Sequence, residues 1–317
     1  MATYNGEKYI SQQIDSILNQ EFTDFNLIIC DDQSTDQTVQ IIKEYMQNDS
    51  RISLYINESN LGYNQNFMKL IQLSNAPFFS IADQDDIWYP NQLNDLYEAI
   101  IVNNVDIVYG ESKYIDSFNQ PILIRDYVKH IKVTKPYVLF EDNIVPGRNM
   151  LVNARLKKYL FPVPPLSRFF IYDWYLALKA VENQGIYYIN RVINQYRVHQ
   201  SSVTSTDVYS PLRKKSLKEK LIYIETLREQ ALNHRLQRVE IFKAFLNEVD
   251  QVNNYELYIK SLNQTKFINL HLNQFFKYMK IRTTYYKFIF LISFHFPFLY
   301  RIFIMKYLKV NRRTYES

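Results

Sequence analysis

The sequence has a single cysteine, Cys30, so neither a disulfide scaffold nor a cysteine-rich zinc site is available. Five glycines and ten prolines are too few for collagen-like or linker-like sequence. There is no Gly-x-Gly-x-x-Gly and no Gly-x-x-x-x-Gly-Lys, so a dinucleotide fingerprint and a P-loop are unsupported. No Ser-His-Asp hydrolase signature stands out. Met1 to Lys8 lacks the basic start and apolar run of a signal peptide. No apolar stretch reaches the ~18 to 20 uninterrupted residues of a spanning helix. The nearest, Phe288 to Tyr300, includes His295 and Pro297. The chain therefore reads as cytoplasmic.

What is present is a folding chain of 317 residues, with 47% hydrophobic and 22% charged residues. That balance excludes disorder, and the length fits one large domain or two smaller ones. Aromatics reach 16%, and fourteen of them lie between Phe267 and Tyr307. The net charge of +5 hides a split. From Leu257 onward eleven Lys and Arg face one acid, Glu316, a net of +10, whereas the rest of the chain carries −5. Two surfaces with different partners are implied.

The first hundred residues alternate helical and extended patterns. Tyr9, Ile10, Ile14, Ile17 and Leu18 form an apolar stripe at helical spacing. Asn26 to Cys30 reads as a buried strand ending in Asp31-Asp32. Ser34 and Gln37 have capping-box spacing, so a helix carrying Val39, Ile42 and Met46 inward is expected next. Ile52 to Ile56, Phe78 to Ala82 and Val105 to Tyr109 read as strands. Phe67 to Leu73 reads as helix, and Pro90 suits the first turn of another. Such alternation implies an α/β, Rossmann-like fold with a mostly parallel sheet flanked by helices. Recurrent proline between 111 and 170 predicts long loops. A helix is expected over Tyr172 to Val181, then strands over Ile186 to Ile189 and Val192 to Val198. No glycine follows Gly185, and Leu217 to Asp250 repeats apolar residues at helical spacing. The expected division is an α/β domain at 1–209 and a helical, basic, aromatic C-terminal module at 210–317.

In an open parallel sheet, ligands bind at the carboxyl ends of the strands. Acidic groups fall at such places: Asp31-Asp32, Asp83-Gln84-Asp85-Asp86 and Asp173. Clustered carboxylates repel one another unless a cation or a donor-rich ligand balances them. Asp83 and Asp85, two residues apart at a strand end, suit one hard divalent cation such as Mg²⁺ or Mn²⁺, shared with a diphosphate. Read singly, an Asp-x-Asp is more simply a solvated turn; the three groups together favour the ligand.

The residues Ala2-Thr3-Tyr4-Asn5-Gly6, Cys30-Asp31-Asp32-Gln33-Ser34-Thr35-Asp36, Asn60-Leu61-Gly62 and Ala82-Asp83-Gln84-Asp85-Asp86-Ile87-Trp88 occur in an order that resembles glycosyltransferase family 2. With the later Asp173-Trp174, the pattern is most like rhamnosyltransferase-type members that build bacterial surface polysaccharides. The resemblance covers about residues 1 to 205. It implies a GT-A fold and inverting transfer from a nucleotide-diphosphate sugar to a saccharide or lipid-linked saccharide acceptor. It also implies roles. Ala2 and Tyr4 would line the base, and Asp32 would bond its imide nitrogen. Asn60 and Gly62 would close over the nucleotide. Asp83 and Asp85 would form the metal motif, Asp85 being the direct ligand. Gly147 would lie on the acceptor side, with Trp88 and Trp174 beside the sugar. Asp173 would be the base. Arg197 would reach the diphosphate, with His199 near it as a further metal ligand.

Plainer readings stand beside these. Asp173 also fits a helix cap, His199 a loop or core histidine, Trp88 and Trp174 core residues, and Arg148 and Asn149 polar loop groups. Two departures matter. The chain starts inside the first motif, so the first strand is expected to be absent or a stub. That would leave a gap in the sheet and imply either an upstream start or reduced stability. Tyr172 stands where many relatives have His. In the tail, 260–313 has the basic and aromatic character of a helical segment lying on a membrane surface, where a lipid-linked acceptor would be met. Packing on the catalytic core is the alternative. No nucleic-acid motif is present. The runner-up function is a non-catalytic sugar-nucleotide or carbohydrate-binding relative. A nucleotidyltransferase would want a glycine- and lysine-rich phosphate loop near the N-terminus, which is absent.

Overall fold

A computed structural model describes residues 1–122, 139–140, 143–164, 166, 170–199, 233–244, 246 and 249–264. The chain divides into two compact units. One comprises Met1–Pro121 and Val128–Val198, the other Ile122–Tyr127 and His199–Ser317.

The first unit is α/β. Its strands are β1 (Ala2–Thr3), β2 (Leu27–Asp31), β3 (Ile52–Ile56), β4 (Phe78–Ser80), β5 (Ile87–Trp88), β6 (Ile107–Ile115), β7 (Pro121–Ile122), β8 (Met150–Asn153) and β9 (Ile186–Arg197). Its helices are α1 (Ile10–Leu18), α2 (Thr38–Asn48), α3 (Tyr63–Leu73), α4 (Gln92–Asn103) and α5 (Tyr172–Glu182). One sheet has the order β1-β2-β3 and is parallel throughout. The second runs β4-β8-β6-β9-β5, with β7 on β6; it is mixed, since of the four pairings along that order only β6 with β9 is parallel. The stub expected for the first strand is observed: β1 holds two residues, paired to Cys30 and Asp31.

A side chain from the turn between β4 and β5 bonds to β1's end. Gln84 Oε1 accepts from the Tyr4 amide (2.9 Å), and Gln84 Nε2 donates to the Tyr4 carbonyl (3.0 Å). The amide thus imitates one rung of a strand ladder. Its closeness explains Gly6, where a Cβ would collide with Gln84 Oε1.

Apolar spacing accounts for the helices. α1 buries Ile10, Ile14 and Ile17. They join Leu27, Ile29, Ile42, Ile52, Trp88 and Leu93 in one core. A second core gathers Leu96, Ile100, Val108, Leu151 and Ile193 around α4. Three local expectations are corrected. The capping box does not form, because Ser34 Oγ donates to Asp31 Oδ2 (2.5 Å) and the helix starts at Thr38. The Thr38 amide is satisfied by Asp36 instead (3.0 Å). Met46 is exposed, while Ile41 and Tyr45 pack inward beside Ile42. The two strands expected after Gly185 are one, β9, whose pairing with β6 shifts register around Glu111.

Two helices are described in the second unit. Helix α6 (233–244) and helix α7 (Val249–Gln264) bury Val239, Phe242, Val252, Tyr255 and Ile259. Lys243 Nζ of α6 meets Glu256 Oε2 of α7 at 2.5 Å. Among the described residues no helix is long and apolar enough to cross a membrane. Apart from 260–264, the tail segment 260–313 lies outside the described residues, as does 200–232.

Candidate functional site

The strand ends of the first sheet converge where the sequence places its acids. β2 delivers Asp31 and Asp32, both buried. Asp31 is spent on structure, accepting from Thr3 Oγ1 (2.8 Å), the Ser34 amide (2.8 Å) and Ser34 Oγ. Asp32 holds the 60–62 loop. Its Oδ1 accepts from Asn57 Nδ2 (2.7 Å) and the Leu61 amide (2.8 Å), and its Oδ2 from the Gly62 amide (2.8 Å). Asn60 Nδ2 donates to the Asp32 carbonyl (3.0 Å). Gly62 has φ 76°, a left-handed conformation that side chains disfavour, and it turns the loop into α3. Ala2 is half-buried, and Tyr4 is exposed at the mouth of β1.

α3 then reaches the expected base. Asn64 Oδ1 accepts from the Tyr172 amide (3.0 Å), an otherwise unpaired donor of the first turn of α5. Tyr172 stacks on Phe67 of α3, with ring centroids 4.2 Å apart. Asp173 follows, 7% exposed. Its Oδ2 accepts from the Gly147 amide (2.9 Å) and its Oδ1 from the Trp174 amide (2.7 Å). Burial pushes its pKa up to about 6, opposed by these two amides and by Arg148. Gly147 sits tightly here: a Cβ would lie 2.5 Å from the Tyr172 hydroxyl and 3.2 Å from Asp173 Cβ.

The Asp83–Asp86 turn links β4 to β5. Burial first, then Asp85, push the Asp83 pKa up to about 7, while Arg148 pulls it down. Asp83 keeps a partial opening to solvent but is surrounded by protein. Asp86 is fully buried. Its Oδ1 accepts from the Arg197 amide (3.0 Å), whereas Oδ2 has no hydrogen-bond partner. Burial and the carboxylates of Asp83 and Asp85 push its pKa well above the usual range. Three carboxylates thus repel one another here, and one buried oxygen lacks a donor. Among the described residues no group of three or more His, Cys, Asp or Glu side chains is gathered to hold a metal.

The other expected residues are placed as follows. Arg197 ends β9 and is 1% exposed. Nε donates to the Asp85 carbonyl (2.7 Å) and Nη2 to Gln12 Oε1 (3.0 Å). Nη1 donates to the Asp116 carbonyl (3.3 Å) and to Asn119 Oδ1. Arg197 thus organises the acidic turn from inside. Trp88 packs in the first core, and Trp174 is interior, its Nε1 donating to the Leu139 carbonyl (2.6 Å). His199 is half-buried and belongs to the second unit.

Four residues carry more than the sequence revealed. Asn57 is a buried hub, donating to Asp32 and Asn66 and accepting from Lys69 Nζ (2.7 Å). Gln84 and Asn64 join elements. Arg148 faces the carboxylates electrostatically, and its guanidinium lies 3.8 Å over the Tyr196 ring. The motif Asp83-Gln84-Asp85-Asp86 contained the signal for Gln84. Nothing in local spacing marks the other three.

The sequence profile of Glycosyl transferase family 2 matches residues 1–148. The Escherichia coli protein WfgD, a UDP-Glc:alpha-D-GlcNAc-diphosphoundecaprenol beta-1,3-glucosyltransferase, is 30% identical over 207 residues, covering 65% of this chain and 78% of WfgD. The Shigella flexneri dTDP-rhamnosyl transferase RfbG is 26% identical, covering 66% and 74%. Among solved structures, S. aureus TarS 1-349 in complex with UDP-GlcNAc superposes with a TM-score of 0.61 at 18% identity, covering 97% and 90%. The Pyrobaculum calidifontis mannosyltransferase PcManGT, in complex with GDP-Man and Mn2+, gives 0.55 at 13% identity, covering 98% and 83%.

Proposed function

The chain belongs to glycosyl transferase family 2, and on that premise we propose that it is an inverting enzyme acting with a nucleotide-diphosphate sugar in cell-surface polysaccharide synthesis. The observation that carries this reading is Asp173, a carboxylate fixed by two backbone amides with its pKa pushed up to about 6. A base near the working pH takes a proton most effectively. Asp173 removes the proton from an acceptor hydroxyl. The hydroxyl oxygen bonds to the anomeric carbon, and the bond from that carbon to the phosphate oxygen breaks. The electron pair leaves with the nucleoside diphosphate. Asp32, Asn60 and Gly62 hold the loop beside the nucleotide, and exposed Tyr4 offers the base a ring. Asp83 and Asp85 would hold a Mg²⁺ or Mn²⁺, which when bound neutralises charge on the departing diphosphate.

dTDP-rhamnose is the first donor to try, supported by the likeness to RfbG, with UDP-hexoses next, supported by WfgD. The acceptor read from WfgD is a saccharide on a lipid diphosphate. Such an acceptor gives the basic tail, 260–313, a reason to lie on a membrane from the cytoplasmic side. Thermal shift across a panel of nucleotide sugars, with and without Mn²⁺, tests the donor. Transfer assayed with Asp173→Asn tests the chemistry: binding kept and transfer lost supports an enzyme. A panel without any shift, and no turnover, sinks the reading. Sedimentation with anionic vesicles tests the tail; absence of binding would favour packing on the core.

A further inference from the structure

Arg148 stands among carboxylates without being used up by them. Its Nε is buried and has no hydrogen-bond partner. Asp83, Asp86 and Asp173 all lie within its electrostatic reach. Arg197, the cation first expected to meet phosphates, has three of its nitrogens donating inside the fold. The backbone around Arg148 is tied on both sides. The Gly147 amide donates to Asp173 (2.9 Å), and the Arg148 carbonyl accepts from Asn194 Nδ2 (3.1 Å). Asn149 accepts from Ser112 Oγ (2.9 Å) and Asn194 Nδ2 (2.9 Å), and donates to the Gly110 carbonyl (3.0 Å). Tyr196 takes one face of the guanidinium, which leaves the in-plane N–H groups to hydrogen-bond.

We propose that Arg148 binds the donor's diphosphate, its in-plane guanidinium N–H groups donating to oxygens of the phosphate that carries the sugar. This rests on the glycosyltransferase reading. A diphosphate entering beside Asp83, Asp85 and Asp86 meets repulsion, and an arginine with an unused donor supplies both charge and direction. On transfer, the oxygen that bridged sugar and phosphate keeps the electron pair of the broken C–O bond, and the hydrogen bonds to Arg148 strengthen as the charge on that phosphate grows. Arg148 therefore favours the departing group over the intact donor.

The experiment titrates UDP, dTDP and GDP, and the matching monophosphates, into wild type, Arg148→Gln and Arg148→Lys. Arg148→Gln should weaken the bound diphosphate about ten- to a hundredfold, the range of a hydrogen bond to a charged group, and leave the monophosphate nearly unchanged. Arg148→Lys should fall between. Equal affinity for diphosphate in Arg148→Gln and wild type overturns the subsite, as does equal weakening of both nucleotides. A wild type that binds no nucleotide overturns the functional reading, and the subsite with it. Should Arg148→Gln not fold, modification of wild type by phenylglyoxal decides. Diphosphate must protect Arg148 where monophosphate does not; equal labelling overturns the proposal.

Discussion

Asp173 and Asp83 carry a conflict between binding chemistry and stability. Each is pushed up, to about 6 and about 7, from an ordinary 3.8. A carboxyl whose folded-state pKa is raised holds its proton more tightly folded than unfolded. Stability therefore falls as pH climbs from about 4 through the folded value, and the loss is complete above it. Asp83→Asn should raise the melting temperature by about 2 to 4 °C at pH 8 without ligand. The gain should shrink as pH approaches 4. A gain that does not change with pH would refute this origin. Activity runs the other way, because the base must be ionised. In wild type, kcat/KM should decline below about pH 6, following the Asp173 carboxyl. Asp173→Asn should lose about 10²- to 10⁴-fold in kcat while nucleotide affinity stays within a small factor. A rate flat down to pH 4.5 would remove Asp173 from the role.

The loop at 60–62, α3 and α5 form one connected path, through Asp32, Gly62, Asn64 and Tyr172. Gly62→Ala puts a side chain on a left-handed backbone, a strain of about 1 kcal/mol or more. Nothing would crowd that Cβ, so the effect should appear as weaker nucleotide binding rather than misfolding. Asn64→Ala leaves the Tyr172 amide unpaired in the interior, at about 1 to 3 kcal/mol. Its kcat should fall more than its nucleotide affinity; the opposite ordering would break the link. Much of this path was legible as pieces. Helical spacing located α1 and α5, and the apolar run Ile52–Ile56 is β3 residue for residue. The acids at strand ends were visible because residue type and local pattern sufficed. Ser34 misled because Asp31, three residues earlier, captures its hydroxyl. Asn64 and Arg148 could not be read, since their partners lie 108 residues away in Tyr172, and 48 away in Tyr196.

In the first unit a side chain supplements the apolar packing between the two sheets. Gln84 adds a polar link between β1 and the Asp83–Asp86 turn, through the oxygen and the nitrogen of its amide, beside the apolar core that Trp88 shares with the parallel sheet. Gln84→Ala should destabilise the first unit by about 0.5 to 1.5 kcal/mol, the net worth of an ordinary hydrogen bond, because water can replace the amide at the exposed Tyr4 backbone. Differential hydrogen exchange should place the change at residues 2–6. A uniform change across the unit would argue against a local joint. Gln84→Glu keeps one acceptor and loses the donor, and it adds charge beside Asp83 and Asp85, so it should be worse than its shape implies. The division into two units also separates what each can be asked. The acidic turn, the 60–62 loop and Asp173 all lie in the first, so nucleotide binding should follow its integrity.

Asp32 has a spectroscopic consequence. The Leu61 and Gly62 amides sit in a loop whose side chains face water, yet both donate to one buried carboxylate. Their protons should exchange slowly and resonate downfield, two protected signals inside a solvent-facing segment. They provide a label-free readout of whether that loop is latched, available before any substrate is known.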